Sequence, residues 1–202
     1  VWLQNASGAG SGWSTSGNIG TDTSVNFIGT RDNKPLLFKI NNKKAGLISV
    51  DNLGLGHRSL EQLEYGGNNF NNHTAIGNAA LTNLRTGILT VGLGTYGLGL
   101  LQNGSNNVGI GFQSGSFAMG SDNVIIANAS SFSINEFDSI ADNIIIGNHK
   151  PTFNLVSDKN VLIGSNAGGN LINGGGNVAV GDSASASNTT GAFNVAIGAK
   201  AL

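Results

Sequence analysis

What this sequence lacks narrows its possible functions. None of its 202 residues is a cysteine, which excludes disulfide bonds, thiolate metal sites and cysteine nucleophiles. Charged residues make up 10% of the chain and the formal net charge is −1, so nothing indicates binding to nucleic acid or to acidic lipid. No apolar run approaches the roughly 20 residues of a membrane-spanning helix. The first residues also lack the basic-then-apolar order of a signal peptide.

Glycine and asparagine are abundant instead, with 32 and 29 residues respectively. Glycine loses more conformational freedom on folding than any other residue. A chain this rich in glycine therefore needs a regular structure to recover that entropy. The sequence starts at Val1 and ends at Leu202 inside the repeat described next, and we expect it to be a piece of a longer protein.

A five-residue box recurs eight times along the chain. The copies are HTAIG at 73–77, TVGLG at 90–94, NVGIG at 107–111, NVIIA at 123–127, NIIIG at 143–147, NVLIG at 160–164, NVAVG at 177–181 and NVAIG at 194–198. Their closing residues are separated by 17, 17, 16, 20, 17, 17 and 17 positions. A fixed period of this kind is the mark of a solenoid, in which each repeat forms one coil.

Each box predicts a short β-strand, because its apolar residues are mostly β-branched and alternate with period two. The second and fourth positions are apolar almost throughout, and we expect them to face the coil interior. The third position points the other way and is never polar, which predicts a strand buried on both faces. We expect a neighbouring chain to cover that second face, so the third positions would line a trimer axis: Ala75, Gly92, Gly109, Ile125, Ile145, Leu162, Ala179 and Ala196.

Two further columns support this coil. Asparagine heads six of the eight boxes, and residues stacked in register predict an asparagine side-chain ladder. His73 occupies the same position in the first box and is interpreted as structural. Glycine also recurs about ten residues after the box, which predicts two short strands and two turns in each coil.

The N-terminal part of the chain lacks this repeat. We predict a strand-rich connector over 1–70 and a β-roll over 71–202. Six of the ten basic residues fall between residues 31 and 58. We interpret them as a solvated strand face rather than a contact for a polyanion. Trp2 and Trp13 lie in a Gly/Ser-rich lead and could anchor a preceding domain.

The boxes, joined by segments such as ALTNLRTG and ASASNTTG, resemble the head repeats of trimeric autotransporter adhesins. They are even more similar to the longer repeats of phage-type tail-fibre proteins, in which a segment like NFIGTRDNKPLLFKINNKKAGLI often precedes the repeats. Together these features cover roughly residues 18–202. The resemblance implies a left-handed parallel β-roll and a homotrimer that attaches to a host-cell glycan or protein. It also implies an extracellular location, on a virion tail fibre or a cell surface, and no catalytic residue. From the residues themselves we expect no cofactor, no membrane insertion and no metal site, since His57, His73 and His149 are isolated in the sequence.

Two irregular repeats are the candidates for receptor binding, because insertions in solenoids map to loops that often form the binding face. The loops contain SSFSINEFDSIAD at 130–142 and NHKPTFN at 148–154. The candidate residues are Phe132, Glu136, Phe137, Asp138, His149, Lys150 and Phe153. Their aromatic rings beside polar groups suit sugar stacking, although Phe132 and Phe137 could simply cover the roll.

Other functions stay open at this point. A purely structural fibre shaft fits the same repeats, as does the head of a bacterial adhesin. A polysaccharide depolymerase on a β-solenoid needs paired carboxylates across a cleft. The best group of acids for that role is Glu136, Asp138 and Asp142. An ice-binding solenoid would need a regular threonine ladder, and a calcium-bound roll needs the GGxGxDxUx nonapeptide. The sequence has neither.

Overall fold

The computed structural model describes residues 14, 16–63, 72–115, 120–128, 140–148 and 158–202. These residues form eleven strands in a single sheet and contain no helix. The prediction of an all-β solenoid is therefore confirmed.

The strands follow one another in the sheet in chain order. They are β1 (Leu36–Ile40), β2 (Lys43–Ile48), β3 (Leu53–Leu55), β4 (Thr74–Ile76), β5 (Val91–Leu93), β6 (Val108–Ile110), β7 (Val124–Ile126), β8 (Ile144–Ile146), β9 (Val161–Ile163), β10 (Val178–Val180) and β11 (Val195–Ile197). The hairpin β1–β2 is antiparallel, and β2 also pairs antiparallel with β3. From β3 to β11 every pair is parallel and joins equivalent box positions, as Val178↔Val195 illustrates.

The roll starts earlier in the chain than the predicted boundary near residue 70. The segment Asn52–Gly56 is a ninth box, NLGLG, and its strand β3 pairs in parallel with β4. This box is less apparent in the sequence than the other eight for two reasons. Both of its strand side chains are leucine, and Gly56 precedes Gly77 by 21 positions instead of 17.

A glycine follows most of these three-residue strands, because both the backbone conformation and the distance to the next coil exclude a larger residue there. Gly94 has φ 114, a region that side-chain-bearing residues rarely adopt. A Cβ at this position would also lie 2.5 Å from the carbonyl oxygen of Gly111 in the next coil. The box glycines therefore turn the chain and allow successive coils to stack closely.

The interior of the roll is narrow, and residues of complementary size meet inside it. Leu81 packs against Gly92, where a Cβ would lie 2.9 Å from the leucine Cγ. Leu162 shows the reverse arrangement, because its Cδ2 would lie 2.9 Å from a Cβ at Gly168. These leucines belong to one buried apolar cluster that runs along the roll. A large side chain thus faces a glycine at both places, so the combined side-chain volume suits the narrow interior, as close packing requires.

The predicted asparagine ladder is present. Each asparagine side-chain oxygen accepts from the backbone N–H of the next asparagine at 2.9–3.1 Å and from its Nδ2 at 3.1–3.3 Å. The members are Asn107, Asn123, Asn143, Asn160, Asn177 and Asn194. The first five are at most 1% exposed, so the ladder joins the coils from inside the roll.

His73 continues this line toward the N-terminus. Its backbone N–H donates to Asn52 Oδ1 at 3.0 Å, and its Nδ1 accepts from the Thr90 backbone N–H at 3.3 Å. The side chain is 1% exposed, and burial lowers the pKa of His73 to about 4. The ring is therefore neutral at pH 7. Its predicted structural role is consistent with these contacts.

We predicted two short strands in each coil, but among the described residues only the box segment of each coil forms a strand. Opposite the box strands, the only isolated bridge among them joins Thr86 and Asn103. Single backbone bonds connect the coils elsewhere on that wall, such as Leu98 N–H to the Ser114 carbonyl at 2.9 Å. The second glycine column has a structural role on this wall. A Cβ at Gly87 would collide with the carbonyl of Gly104 in the next coil.

Candidate functional site

The outer face of the sheet carries a continuous row of branched apolar side chains. They come from the second and fourth box positions of β3 to β11, which point away from the coil interior. Ile76, Ile126 and Ile144 are 41%, 38% and 40% exposed, and Val195 and Ile197 reach 63% and 71%. We call this row the apolar stripe. Thr74 is its one polar member.

The predicted orientation of the box was therefore reversed. The eight third-position residues assigned to a trimer axis lie inside the coil of their own chain. Ala75, Ile125, Ile145, Leu162 and Ala179 are 0% exposed and Ala196 is 3% exposed, and Gly92 and Gly109 are also buried. A side chain enclosed in this way cannot contact a second chain. The face available to another chain is the apolar stripe.

The stripe is too large for an ordinary exposed patch. Nine strands with two outward positions each give eighteen positions. At roughly 60 Å² of exposed apolar surface each, they present about 1,000 Å², against ~300–600 Å² for the largest patch on a typical monomer. A standard protein interface buries about 800 Å² on each partner. The stripe therefore has the area of an interface.

The same face continues onto the N-terminal hairpin. Ile48 pairs with Leu53 and Phe38 pairs with Gly46, which in turn pairs with Leu55. A Cβ on Gly46 would lie 3.2 Å from Leu55 Cδ2 and 3.3 Å from Phe38 Cδ2. The missing side chain at Gly46 thus lets these two apolar groups lie next to each other. The hairpin extends the stripe rather than ending it.

The predicted receptor-binding residues lie outside the residues that the structure describes. This applies to Phe132, Glu136, Phe137, Asp138, His149, Lys150 and Phe153, and also to Trp2 and Trp13. Asp142 is described and is exposed just before β8. The proposed role of these loops in binding stays a prediction.

A second candidate site is a depression of about 310 Å³ at the N-terminal end of the roll. It is lined by Lys43 and Lys44 at the start of β2, by His57 and Arg58 in the turn after β3, and by Glu61. The folding of β2 against β3 places the two lysines beside this turn. The basic residues interpreted as a solvated face therefore include a cluster around a concave surface.

The described part of the chain contains neither a cluster of candidate metal ligands nor a membrane-spanning helix. No group of three or more His, Asp or Glu residues there could hold a metal ion. Within the same ranges, no helix is long and apolar enough to cross a membrane.

Comparisons of the chain with known protein families, curated proteins and solved structures find no match. The repeat, the apolar stripe and the basic depression are therefore the features of the molecule that indicate its function.

Proposed function

We propose that this chain is a non-enzymatic segment of a trimeric surface fibre, and that the fibre attaches its carrier to a host or another surface. The observation that carries the proposal is the apolar stripe, which extends along all nine parallel strands. At ~4.8 Å per strand the roll is about 40 Å long, so an association along the stripe is parallel to the fibre direction. Three rolls that face one axis would form a rod.

The energetics favour association of this face. Burial of roughly 1,000 Å² of apolar surface on each chain would favour association. It would oppose the loss of translational and rotational freedom on binding, which costs about 4–15 kcal/mol or more. The number three comes from the resemblance to trimeric adhesin heads and tail fibres. The stripe itself supports association without fixing the number of chains.

The stripe serves equally well in two kinds of carrier. One is a phage or phage-like tail fibre on a virion, and the other is the head of a trimeric adhesin on a bacterial surface. Both place the chain outside the cell. In either carrier the homotrimer is the first partner, and the receptor is a glycan or protein on the opposing surface.

The first test is the mass of the native chain in solution, measured by light scattering coupled to size-exclusion chromatography. We expect about three times 20.5 kDa. A folded monomer would overturn the proposal, and a dimer would refute the trimeric arrangement while leaving the stripe as the interface.

A pair of matched variants tests the stripe itself. Val178→Asp places a charge on the outward face of β10, whereas Ser187→Asp places one on an exposed position of the same coil away from the sheet. We expect the mass of Val178→Asp to fall toward 20.5 kDa with an unchanged circular dichroism spectrum, because an unpaired charge is costly in an apolar interface. Ser187→Asp should keep the native mass. Equal masses for the two variants would exclude the stripe as the interface.

A further inference from the structure

The basic depression has more positive than negative groups. Of its five lining residues, three are lysine or arginine, one is His57 and one is Glu61. The Glu61 carboxylate already accepts a hydrogen bond from Arg58 Nε at 2.6 Å. This bond lowers the pKa of Glu61, so the carboxylate stays ionised and committed to Arg58. Lys43 and Lys44 are the remaining cations.

Lys44 is the more informative of the two. Its ammonium group donates to the Leu60 carbonyl at 3.0 Å and is half-buried. Burial lowers the pKa of Lys44, although the charge of Glu61 acts in the opposite direction. Among the described residues, no carboxylate forms an ion pair with Lys44. Because a partly buried charge is stabilised by an anionic partner, the depression is suited to an external anion.

The surface next to the depression supplies an aromatic ring. Backbone hydrogen bonds of 2.8 Å from Ala79 to His57 and from Tyr96 to Asn78 stack three successive coils at this corner. Arg58 and Tyr96 occupy equivalent positions in the first and third coils. Tyr96 is 38% exposed and lies two coils along the roll from Arg58. A cationic depression and an aromatic side chain thus share one corner of the roll.

We propose that this corner binds an acidic sugar unit of a surface glycan. The carboxylate or sulfate of the sugar would contact Lys43 and Lys44, and the sugar ring would pack near Tyr96. A volume of about 310 Å³ is at the small end of ligand sites and fits one or two sugar units. The formal net charge of −1 gives the chain no general attraction for polyanions, so recognition is local. The inference rests on the proposed function, because it names the class of receptor.

The experiment is a calorimetric titration of the whole chain at low salt with two oligosaccharides of equal length. One contains glucuronic acid and the other is neutral. We expect binding of the acidic oligosaccharide alone. The Lys43→Gln/Lys44→Gln variant should bind about tenfold more weakly or not at all, since one charge-assisted hydrogen bond alone is worth about that factor. Competition by inorganic sulfate would show whether sulfate or carboxylate is preferred.

Matched controls make the outcome decisive. Lys200→Gln removes an exposed lysine at the other end of the described roll and should bind as the native chain does. Tyr96→Ala should weaken binding several-fold if the ring packs on the sugar. No binding of the acidic oligosaccharide, or native affinity in the double lysine variant, would overturn the inference. Masses measured on the same samples separate the two proposals. A trimer that does not bind the acidic oligosaccharide supports the fibre and overturns the glycan site. A monomer that binds it supports the glycan site and overturns the fibre.

Discussion

The asparagine ladder should be a main source of stability in the roll, and replacing Asn177 with alanine tests this directly. Its Nδ2 donates to the carbonyls of Gly174 and Gly191 at 3.0 and 2.9 Å and to Asn160 Oδ1 at 3.2 Å. Its Oδ1 accepts from the backbone N–H and the Nδ2 of Asn194 at 2.9 and 3.1 Å. The side chain is 1% exposed. One truncation therefore removes all of these contacts at the junction of three coils, in which the two Nδ2 hydrogens are shared among three acceptors.

The expected loss follows from the contacts that the truncation removes. The Asn194 N–H loses its acceptor, and the carbonyls of Gly174 and Gly191 each lose one donor. Each buried group deprived of a partner costs about 1–3 kcal/mol. Because Asn194 is half-buried and Gly191 also accepts from Asn188 Nδ2 at 3.1 Å, water and that second donor recover part of the cost. We expect the free energy of unfolding to fall by about 2–4 kcal/mol.

The assay is equilibrium denaturation followed by circular dichroism, at equal protein concentration because association contributes to stability. Asn170→Ala is the matched control. Its Nδ2 also donates to a carbonyl in the next coil, that of Ala186 at 2.6 Å, but the residue is exposed. We expect a loss of about 0.5–1 kcal/mol there. If the Asn177 and Asn170 variants lose the same stability, the ladder does not hold the coils together.

The other predictions concern single positions of the repeat. His73→Asn should remove an acid sensitivity. The pKa of His73 in the folded chain is about 4, below the value of ~6.5 in the unfolded chain. The free energy of unfolding of the native chain is therefore highest above pH 6.5 and falls by about 3 kcal/mol as the pH falls to 4. Denaturation at pH 7 and at pH 4 measures whether the variant loses less stability than the native chain. Gly77→Ala should cost about 2–4 kcal/mol in chemical denaturation, because φ is 133 and the new Cβ would meet the Gly94 carbonyl. Ala127→Gly, at the equivalent position without a positive φ, should cost at most about 1 kcal/mol, and similar losses at both positions would refute the conformational argument.

Much of the fold follows from the sequence because a solenoid repeats one local solution. The spacing of 17 residues predicts where each strand lies, and the strands β4 to β11 occur at those places. Asparagine at the head of the box predicts the ladder, since identical residues stack in register in parallel coils. Glycine at the end of the box predicts the turn. Each of these features depends only on contacts between equivalent positions.

The direction in which the box side chains point did not follow from the pattern. Alternation with period two divides a strand into two faces, but both faces of this box are apolar. Side-chain size is the signal that distinguishes them. In five of the eight boxes the third position is glycine or alanine, which suits a narrow interior such as the one where Gly92 accommodates Leu81. Ile125, Ile145 and Leu162 are the larger exceptions, and Gly168 accommodates Leu162. The larger valine and isoleucine residues belong outside, where another chain would cover them.

The basic depression was missed for a different reason. Its lysines come from β2, whereas His57 and Arg58 come from the turn after β3, 13 to 15 positions later in the chain. The distance between them is set by the antiparallel pairing of β2 with the first coil. The box at 52–56 departs from the usual spacing and is not apparent in the sequence. Unless this box is recognised, the sequence does not show that the turn after it lies beside the hairpin.

The corners of the coil explain why a binding site would form there rather than on a strand. Tyr96, Leu98 and Asn106 have φ values of 57, 50 and 57, and residues other than glycine rarely adopt this left-handed region, at a cost of about 1–2 kcal/mol each. The equivalent position of other coils has the same conformation, with φ 54 at Ala79 and 52 at Gln113, so the coil fixes the backbone of the corner while its side chain varies from coil to coil. Leu98 fills the interior against Gly109, and the Asn106 Nδ2 donates to Asp122 Oδ1 at 2.8 Å in the next coil. Tyr96 is 38% exposed, so part of its ring is accessible to a ligand at this corner, and the Tyr96→Ala variant measures whether the ring contributes to binding there.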